Sequence, residues 1–223
     1  MIRNPLSLLG ALMALAFLPP AAHAEPSAHI GVVSLYKSNG VDQDNPRGKQ
    51  TRPAVQGGVD HAFANGLYLG NWNSTGEFGD ADIEIDLYGG YRGQLTEQLG
   101  YDVGVVRFLY PGSGGGWNGN EAYASMSYGP VTVKYARGIS GPIDKWARLS
   151  VAYSLALSDA LTLQLGAGMR NKSAGDFADY SLGLAYDLGS GWTTSATLSG
   201  ATRQSTFGSA NDDRLILSLV KAF

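Results

Sequence analysis

The sequence predicts an all-β fold, a single 12-stranded antiparallel up-and-down transmembrane β-barrel that follows a cleaved signal peptide. Three observations predict this fold. Apolar and polar residues alternate with a period of two along most of the chain, the connections alternate between short and long, and charged residues are scarce. The expected organisation is a signal peptide over residues 1–24 and one barrel domain over residues 25–223.

The first 24 residues have the pattern of a secretory signal peptide. Arg3 precedes an apolar run over residues 6–18, and the small-residue pattern Ala22-His23-Ala24 follows. The run is shorter than the ~20 residues that a membrane-spanning helix needs. We therefore expect cleavage after Ala24 and an exported mature chain.

The composition of the mature chain excludes several functions. Removal of 24 residues leaves 199 of 223, with 15 of the 16 Lys+Arg residues and all 19 Asp+Glu residues, so the net charge is −4. An acidic balance makes nucleic acid an improbable partner. Cysteine is absent, which excludes disulfides, thiol catalysis and zinc–thiolate sites. No cofactor or metal is expected.

Period-two alternation predicts twelve strands in the mature chain. They are expected at 28–38, 53–64, 66–75, 82–95, 98–110, 120–129, 131–139, 146–158, 161–171, 179–189, 191–203 and 213–223.

The connections between these strands alternate in length. After every even-numbered strand up to the tenth the chain turns within a few residues, as at Asn65-Gly66 and Gly129-Pro130, whereas longer polar excursions such as 39–52 and 111–119 follow the odd-numbered strands. Tight periplasmic turns and longer extracellular loops are typical of outer-membrane barrels.

The last strand is expected to close the barrel. Leu215, Leu217 and Leu219 lie on one face of it, and the chain ends in mid-alternation on Phe223. An unpaired strand edge is costly in lipid, so this strand is predicted to pair with the first one. We expect the barrel-assembly machinery to recognise this strand ending at Phe223.

The apolar positions are predicted to face lipid, because only 16% of the residues are charged, against ~25% in a typical soluble protein. Aromatic residues near strand ends are expected to form interfacial girdles. The candidates are Tyr68, Tyr101, Tyr128, Tyr153, Tyr186, Trp192 and Phe223.

The polar positions then face the lumen, with acid on one wall and base on the other. The predicted pore-lining residues are Asp60, Glu84, Asp86, Asp102 and Glu121, opposite Lys134, Arg148 and Arg170. These side chains either line a constriction that filters solutes by charge or pair across the bore and lock it. The interior of an eight-stranded barrel is filled by side chains, whereas a sixteen-stranded barrel encloses an aqueous channel. A twelve-stranded barrel lies between these sizes, so any pore should be narrow.

Several motifs resemble a known family, the TorF-type porins, also called the Gcw_chp conserved outer-membrane proteins. The motifs are Pro53-Ala-Val-Gln-Gly-Gly-Val-Asp60, Gly66-Leu-Tyr-Leu-Gly-Asn-Trp72, Glu84-Ile-Asp-Leu-Tyr-Gly-Gly-Tyr91, the segment from Gly104 to Tyr110-Pro-Gly112, and Asn120-Glu-Ala-Tyr123. Their order is specific from about residue 53 to 129. The segment Ser34–Gly40 departs from the family's aromatic, Arg- and Gly-rich first strand. The resemblance implies an outer-membrane barrel that forms a channel of undefined substrate.

The expected function is therefore a channel in the outer membrane of a Gram-negative bacterium that passes small hydrophilic solutes or ions. An outer-membrane hydrolase is disfavoured, because His29 and His61 are the two histidines of the mature chain and neither adjoins a nucleophile motif.

A third interpretation is a closed structural barrel that acts through its loops. Arg47, Lys49 and Arg52 are expected to face the phosphates of lipopolysaccharide. A second group of loop residues could bind Ca²⁺ or cations that bridge lipopolysaccharide, although none belongs to a full calcium-binding loop. They are Asp80, Asp82, Asp212 and Asp213.

Overall fold

The computed structural model describes residues 26–43, 52–171, 176–202 and 208–223. Within these ranges, twelve antiparallel strands form a closed barrel, and two short strands form a separate hairpin. The barrel strands are β1 (Pro26–Val33), β4 (Ala54–Ala62), β5 (Leu67–Phe78), β6 (Ala81–Gln94), β7 (Leu99–Leu109), β8 (Gly119–Tyr128), β9 (Val131–Ser140), β10 (Ala147–Ala156), β11 (Leu161–Asn171), β12 (Phe177–Gly189), β13 (Trp192–Ala201) and β14 (Arg214–Ala222). The hairpin strands are β2 (Lys37–Ser38) and β3 (Val41–Asp42).

The two helical segments in the described ranges are short 3₁₀ turns at Gly141–Ile143 and Gly208–Asn211. None of the described helices is long or apolar enough to cross a membrane.

The first and last strands close the barrel, as the sequence predicts. β1 pairs with β14 from His29 opposite Ala222 to Val33 opposite Ser218. Beyond the assigned strand, the amide of Phe223 donates a hydrogen bond to the carbonyl of Ala28 at 2.9 Å. The backbone is therefore paired along this seam to the last residue.

The alternation along each strand separates an apolar outer surface from the lumen. In β14, Leu215 and Leu217 are 65% and 54% exposed, whereas Ile216 between them is 5% exposed. Tyr68 on β5 reaches Asp102 on β7 past the intervening β6, which is possible only on the concave side of the sheet. Buried alternate positions therefore face the lumen, and exposed Leu, Val and Tyr face outward.

The short connections lie where the sequence predicts them. They span 63–66, 95–98, 129–130, 157–160 and 190–191, at one end of the barrel, which we call the turn end. The opposite end is called the loop end. There the prediction of a long connection between the third and fourth strands is wrong, because β5 continues to Phe78 and a two-residue turn follows. Gly79 has the positive φ of +70° that such a turn needs, and Phe78 is packed into the lumen.

The first predicted strand, 28–38, is too long. β1 ends at Val33, and Leu35, Tyr36 and Lys37 are all at most 3% exposed. A strand in the wall buries only every second residue. The chain has therefore left the wall and turned into the lumen, where β2 and β3 form their hairpin.

The girdle prediction is wrong for Tyr68, which is 6% exposed and points into the lumen to bond Asp102. Its position is in the polar phase of β5, together with Ser74. Of the other candidates, Tyr128, Tyr186, Trp192 and Phe223 are exposed on the outer surface near strand ends.

The outward face predicts a depth-dependent cost of charge in a bilayer. Leu217→Arg, in the middle of β14, should lower the free energy of unfolding by about 2–4 kcal/mol, whereas Leu188→Arg at the turn end of β12 should cost about 0–1 kcal/mol. Urea titration of barrels refolded in vesicles measures both. Equal losses for the two variants would contradict the assigned orientation of the outer surface.

Candidate functional site in the barrel lumen

All five predicted acidic residues lie on the lumenal side of the wall, on β4, β6, β7 and β8. Glu84, Asp86, Asp102 and Glu121 are between 2% and 6% exposed, and Asp60 is half-buried. Each occupies the inward phase of its strand. Carboxylates withdrawn this far from bulk water require hydrogen-bond donors or counter-charges.

Tyrosine hydroxyls supply many of these donors. Tyr36 and Tyr110 donate to the two oxygens of Glu84 at 2.9 and 2.8 Å, and Tyr68 donates to Asp102 at 2.6 Å. Tyr88 donates to Asp60 in the same way. Three of the five acids, Glu84, Asp102 and Asp60, are thus hydrogen bonded to neutral donors.

Glycines on neighbouring strands make room for these tyrosine rings. A β-carbon at Gly90 would lie 2.5 Å from the hydroxyl of Tyr68, and one at Gly104 would lie 2.5 Å from the hydroxyl of Tyr123. The two hydroxyls are themselves hydrogen bonded. The absent side chains let both rings lie against the wall, which explains part of the high glycine content.

Asp86 differs from the other acids. Its cross-strand neighbours are Trp72 on β5 and Phe108 on β7, so aromatic residues flank it on the lumenal face. Its Oδ1 atom is buried and has no hydrogen-bond partner among the residues described. This carboxylate is the least compensated of the five.

The three predicted basic residues lie on β9, β10 and β11. Arg148 forms two hydrogen bonds to Asp179, from Nη2 at 2.6 Å and from Nε at 3.0 Å. Lys134 lies 4.0 Å from the ring centre of Tyr123, and the guanidinium of Arg170 lies 4.2 Å from that of Trp146. Cation–π contacts thus stabilise two of the three bases.

The separation of charge is less complete than the sequence predicts. Arg92 lies on the acidic side, directly opposite Asp102 and 4.9 Å from the ring centre of Tyr68, and Asp179 lies beside the bases. Within the described ranges, no salt bridge joins the five predicted acids to the three predicted bases. The predicted acids and bases therefore do not pair with one another in the described structure.

An apolar cluster fills the lumen at the loop end. Its buried members are Val33, Tyr36, Ala54, Phe78, Ala81 and Ile216, and Trp72 and Tyr110 pack against it. Sequence reasoning missed this cluster, because it assigned apolar residues to the outer face. Trp72 and Phe78 occupy the same alternate positions of β5 as Ser74 and Tyr68, which face the lumen. This pattern could have revealed the cluster.

Of the remaining candidates, those that the structure describes lie away from these walls. Arg52 is exposed and lies 3.7 Å from Glu77, whereas Arg47 and Lys49 are outside the described residues. No group of three or more Asp, Glu or His side chains in the described part of the chain is placed to hold a metal ion. His61 packs edge-on against Phe63 at 4.5 Å, near the turn end.

A closed barrel with an apolar exterior and a charged lumen defines a porin-like class of protein. Residues 19–221 match the family described as "Bacterial protein of unknown function (Gcw_chp)", and the chain belongs to this family. No curated protein matches the sequence.

Solved structures of porins share the fold. The KdgM porin has a TM-score of 0.64 at 11% identity, and the alignment covers 88% of this chain and 99% of that one. The KdgM porin in complex with disordered oligogalacturonate gives 0.62 at 10% identity, covering 89% and 99%. The NanC porin gives 0.54 at 11% identity, covering 89% and 98%. At these identities the likeness establishes the fold alone.

The contacts at the glycines predict a steric effect. Gly104→Ala places a methyl group against Tyr123 and should destabilise the barrel by about 1–3 kcal/mol, as overpacking does. Gly116→Ala is the matched control, because its nearest neighbour is at 3.6 Å and the change should be almost neutral. Urea titration in vesicles compares them, and equal stability of the two variants would show that Tyr123 does not need the space.

Proposed function

We propose that this protein is a channel in the outer membrane of a Gram-negative bacterium, of the TorF porin type, that passes small hydrophilic solutes or ions through a narrow charged lumen. The observation that carries the proposal is an apolar outer surface around a lumen with buried acids on β6–β8 and bases on β9–β11. The porin fold supports it.

The apolar exterior supports the location. Eleven of the twelve wall strands have 9–14 residues, which is long enough to cross a bilayer when tilted, since ~9–11 residues suffice. The predicted signal peptide would direct the chain out of the cytoplasm. The terminal strand ending at Phe223 would then engage the barrel-assembly machinery.

The lumenal charges support selectivity. Glu84 and Asp86 on β6 and Glu121 on β8 form one acidic wall, and their fields are not cancelled by direct salt bridges in the described structure. Opposite charge on the adjoining strands β9–β11 produces a transverse field in the lumen that orients dipolar solutes. The deeply buried acids favour cations over anions.

Neutralising the acidic wall tests the selectivity. Glu84→Gln, Asp86→Asn and Glu121→Gln together should lower the cation preference severalfold, because the attraction of buried carboxylates for cations is lost. Reversal potentials in planar bilayers under a salt gradient measure it. Asp159→Asn, in a turn-end connection, is the control and should change nothing. An unchanged preference in the triple variant would reject the role of these acids.

Liposome swelling with sugars, amino acids and inorganic ions would then define the solute class. A wild-type barrel that is correctly folded but passes none of them would reject the channel.

A second candidate is a closed structural barrel that acts through its loops. The apolar cluster at the loop end favours it, because its side chains occupy space inside the lumen. In this alternative the basic residues Arg47, Lys49 and Arg52 bind the phosphates of lipopolysaccharide. A hydrolase is the least favoured alternative, since His61 contacts an aromatic ring near the turn end.

Lipopolysaccharide binding gives a direct test. Changing Arg47, Lys49 and Arg52 to Gln should weaken binding at least about tenfold, because each basic group near an anionic surface contributes about 1 kcal/mol. Fluorescently labelled lipopolysaccharide titrated onto the purified barrel measures the affinity. Arg107→Gln, on the exposed face of β7, is the control for the loss of one basic group elsewhere on the surface. Full retention of binding in the triple variant would count against this surface.

A further inference from the structure

The segment that follows β1 runs through the lumen. Residues 34–43, which we call the crossbar, include the β2–β3 hairpin. Leu35, Tyr36 and Lys37 are between 2% and 3% exposed, which places them among the most buried side chains of the chain. The crossbar is thus enclosed by the barrel wall.

One end of the crossbar contacts the β5–β6 side of the wall. Tyr36 donates to Glu84 at 2.9 Å, and its ring lies 5.5 Å from the ring of Trp72 and 6.4 Å from that of Phe78. A tyrosine suits this site because its apolar ring packs against aromatic residues while its hydroxyl group binds a carboxylate. Burial raises the pKa of Tyr36, so the hydroxyl remains a donor.

The other end of the crossbar contacts the opposite wall. A β-carbon at Gly40 would lie 2.7 Å from that of Ala201 on β13 and 2.9 Å from that of Asp179 on β12. Gly40 has a φ of +76°, so glycine fits both the turn and the close approach. β6 and β12 are six strands apart in the closed order of twelve. The crossbar therefore spans the lumen from one side to the other.

A buried ion pair anchors the crossbar. Lys37 Nζ lies 2.6 Å from Asp42 Oδ1, with the two side chains 0% and 1% exposed. The same ammonium donates to the carbonyls of Ala210 and Asp212 at 3.0 and 2.9 Å. All three of its protons are therefore used. Arg214 lies 3.5 Å from the second oxygen of Asp42. Together these bonds connect the crossbar to the β13–β14 connection.

The crossbar is attached to the wall mainly through side chains. At its start, Ser34 still exchanges hydrogen bonds with Leu217 on β14, and beyond that point the bond from the Gln43 amide to Tyr36 is internal to the segment. The strand ladders of the wall do not include it. Residues 35–43 can therefore leave the lumen without breaking the described backbone hydrogen bonds between wall strands.

We propose that the crossbar is an autoinhibitory element that restricts the lumen, and that breaking its Lys37–Asp42 anchor opens the channel. This inference rests on the proposed channel function. The anchor makes the closed arrangement specific, since the crossbar and the β13–β14 connection must be in register for Lys37 to satisfy its donors.

Conductance tests the proposal. Lys37→Met removes the anchor and leaves Asp42 paired with Arg214, and a second variant replaces residues 35–42 by a Gly-Ser linker of equal length. Single-channel conductance in planar bilayers should rise at least about twofold in both, because conduction through a narrow pore depends on its open cross-section. Lys221→Met, at the turn end of β14, is the matched control and should conduct like the wild type.

A labelling experiment follows the crossbar directly. The chain has no cysteine, so Tyr36→Cys introduces a single thiol. A water-soluble maleimide should modify it slowly in the folded barrel and at least tenfold faster when Lys37→Met is added. Equal rates with and without Lys37→Met would show that the anchor does not hold the crossbar in place.

The outcomes separate the two proposals. Conduction by the wild type with no increase in the linker variant overturns the crossbar and leaves the channel intact. If neither the wild type nor the linker variant conducts, and circular dichroism shows that both are folded, the channel and the inference that rests on it are overturned. A wild-type conductance that is low but measurable and that rises in the linker variant supports both.

Discussion

The seam between β1 and β14 is the constraint on which the rest of the structure depends. In hydrocarbon, an open sheet edge leaves backbone donors and acceptors without partners, so the wall must close. Pairing from His29 opposite Ala222 onward, with the amide of Phe223 bonded to Ala28, achieves this. Closure fixes the inside and the outside of every strand, and with them which side chains meet lipid and which form the lumen.

Closure also limits the space that is available for water or hydrogen-bond donors around the buried carboxylates. The lumen of a twelve-stranded barrel is too narrow for bulk solvation of every carboxylate. Here tyrosine hydroxyls from adjacent strands, and Tyr36 from the crossbar, donate to Glu84, Asp102 and Asp60. A neutral donor stabilises a carboxylate without cancelling its charge. The acidic wall can therefore keep a long-range field that direct pairing with Lys134 or Arg170 would remove.

The fold was predictable because a barrel strand is a local pattern. Period-two alternation located the wall strands, the short turns and the closing strand, and the polar phase placed all eight charged candidates inside. Three features depended on tertiary context. Phe78 extends β5 because it has an apolar partner in the lumen, Tyr68 points inward because Gly90 leaves space for its ring, and the chain leaves β1 at Val33 because Tyr36 and Lys37 find partners across the bore. Alternation alone carries no information about such cross-lumen contacts.

The crossbar and the wall differ in the kind of interaction that holds them. The wall is held by backbone ladders that cannot be opened singly, because each strand is paired on both sides. The crossbar is held by a few side-chain bonds at Tyr36, Lys37 and Asp42. Local unfolding free energies vary within one structure, and segments with few backbone bonds to their surroundings open first. The crossbar can thus move while the wall strands stay paired. The width of the lumen can therefore change without any change in the barrel wall.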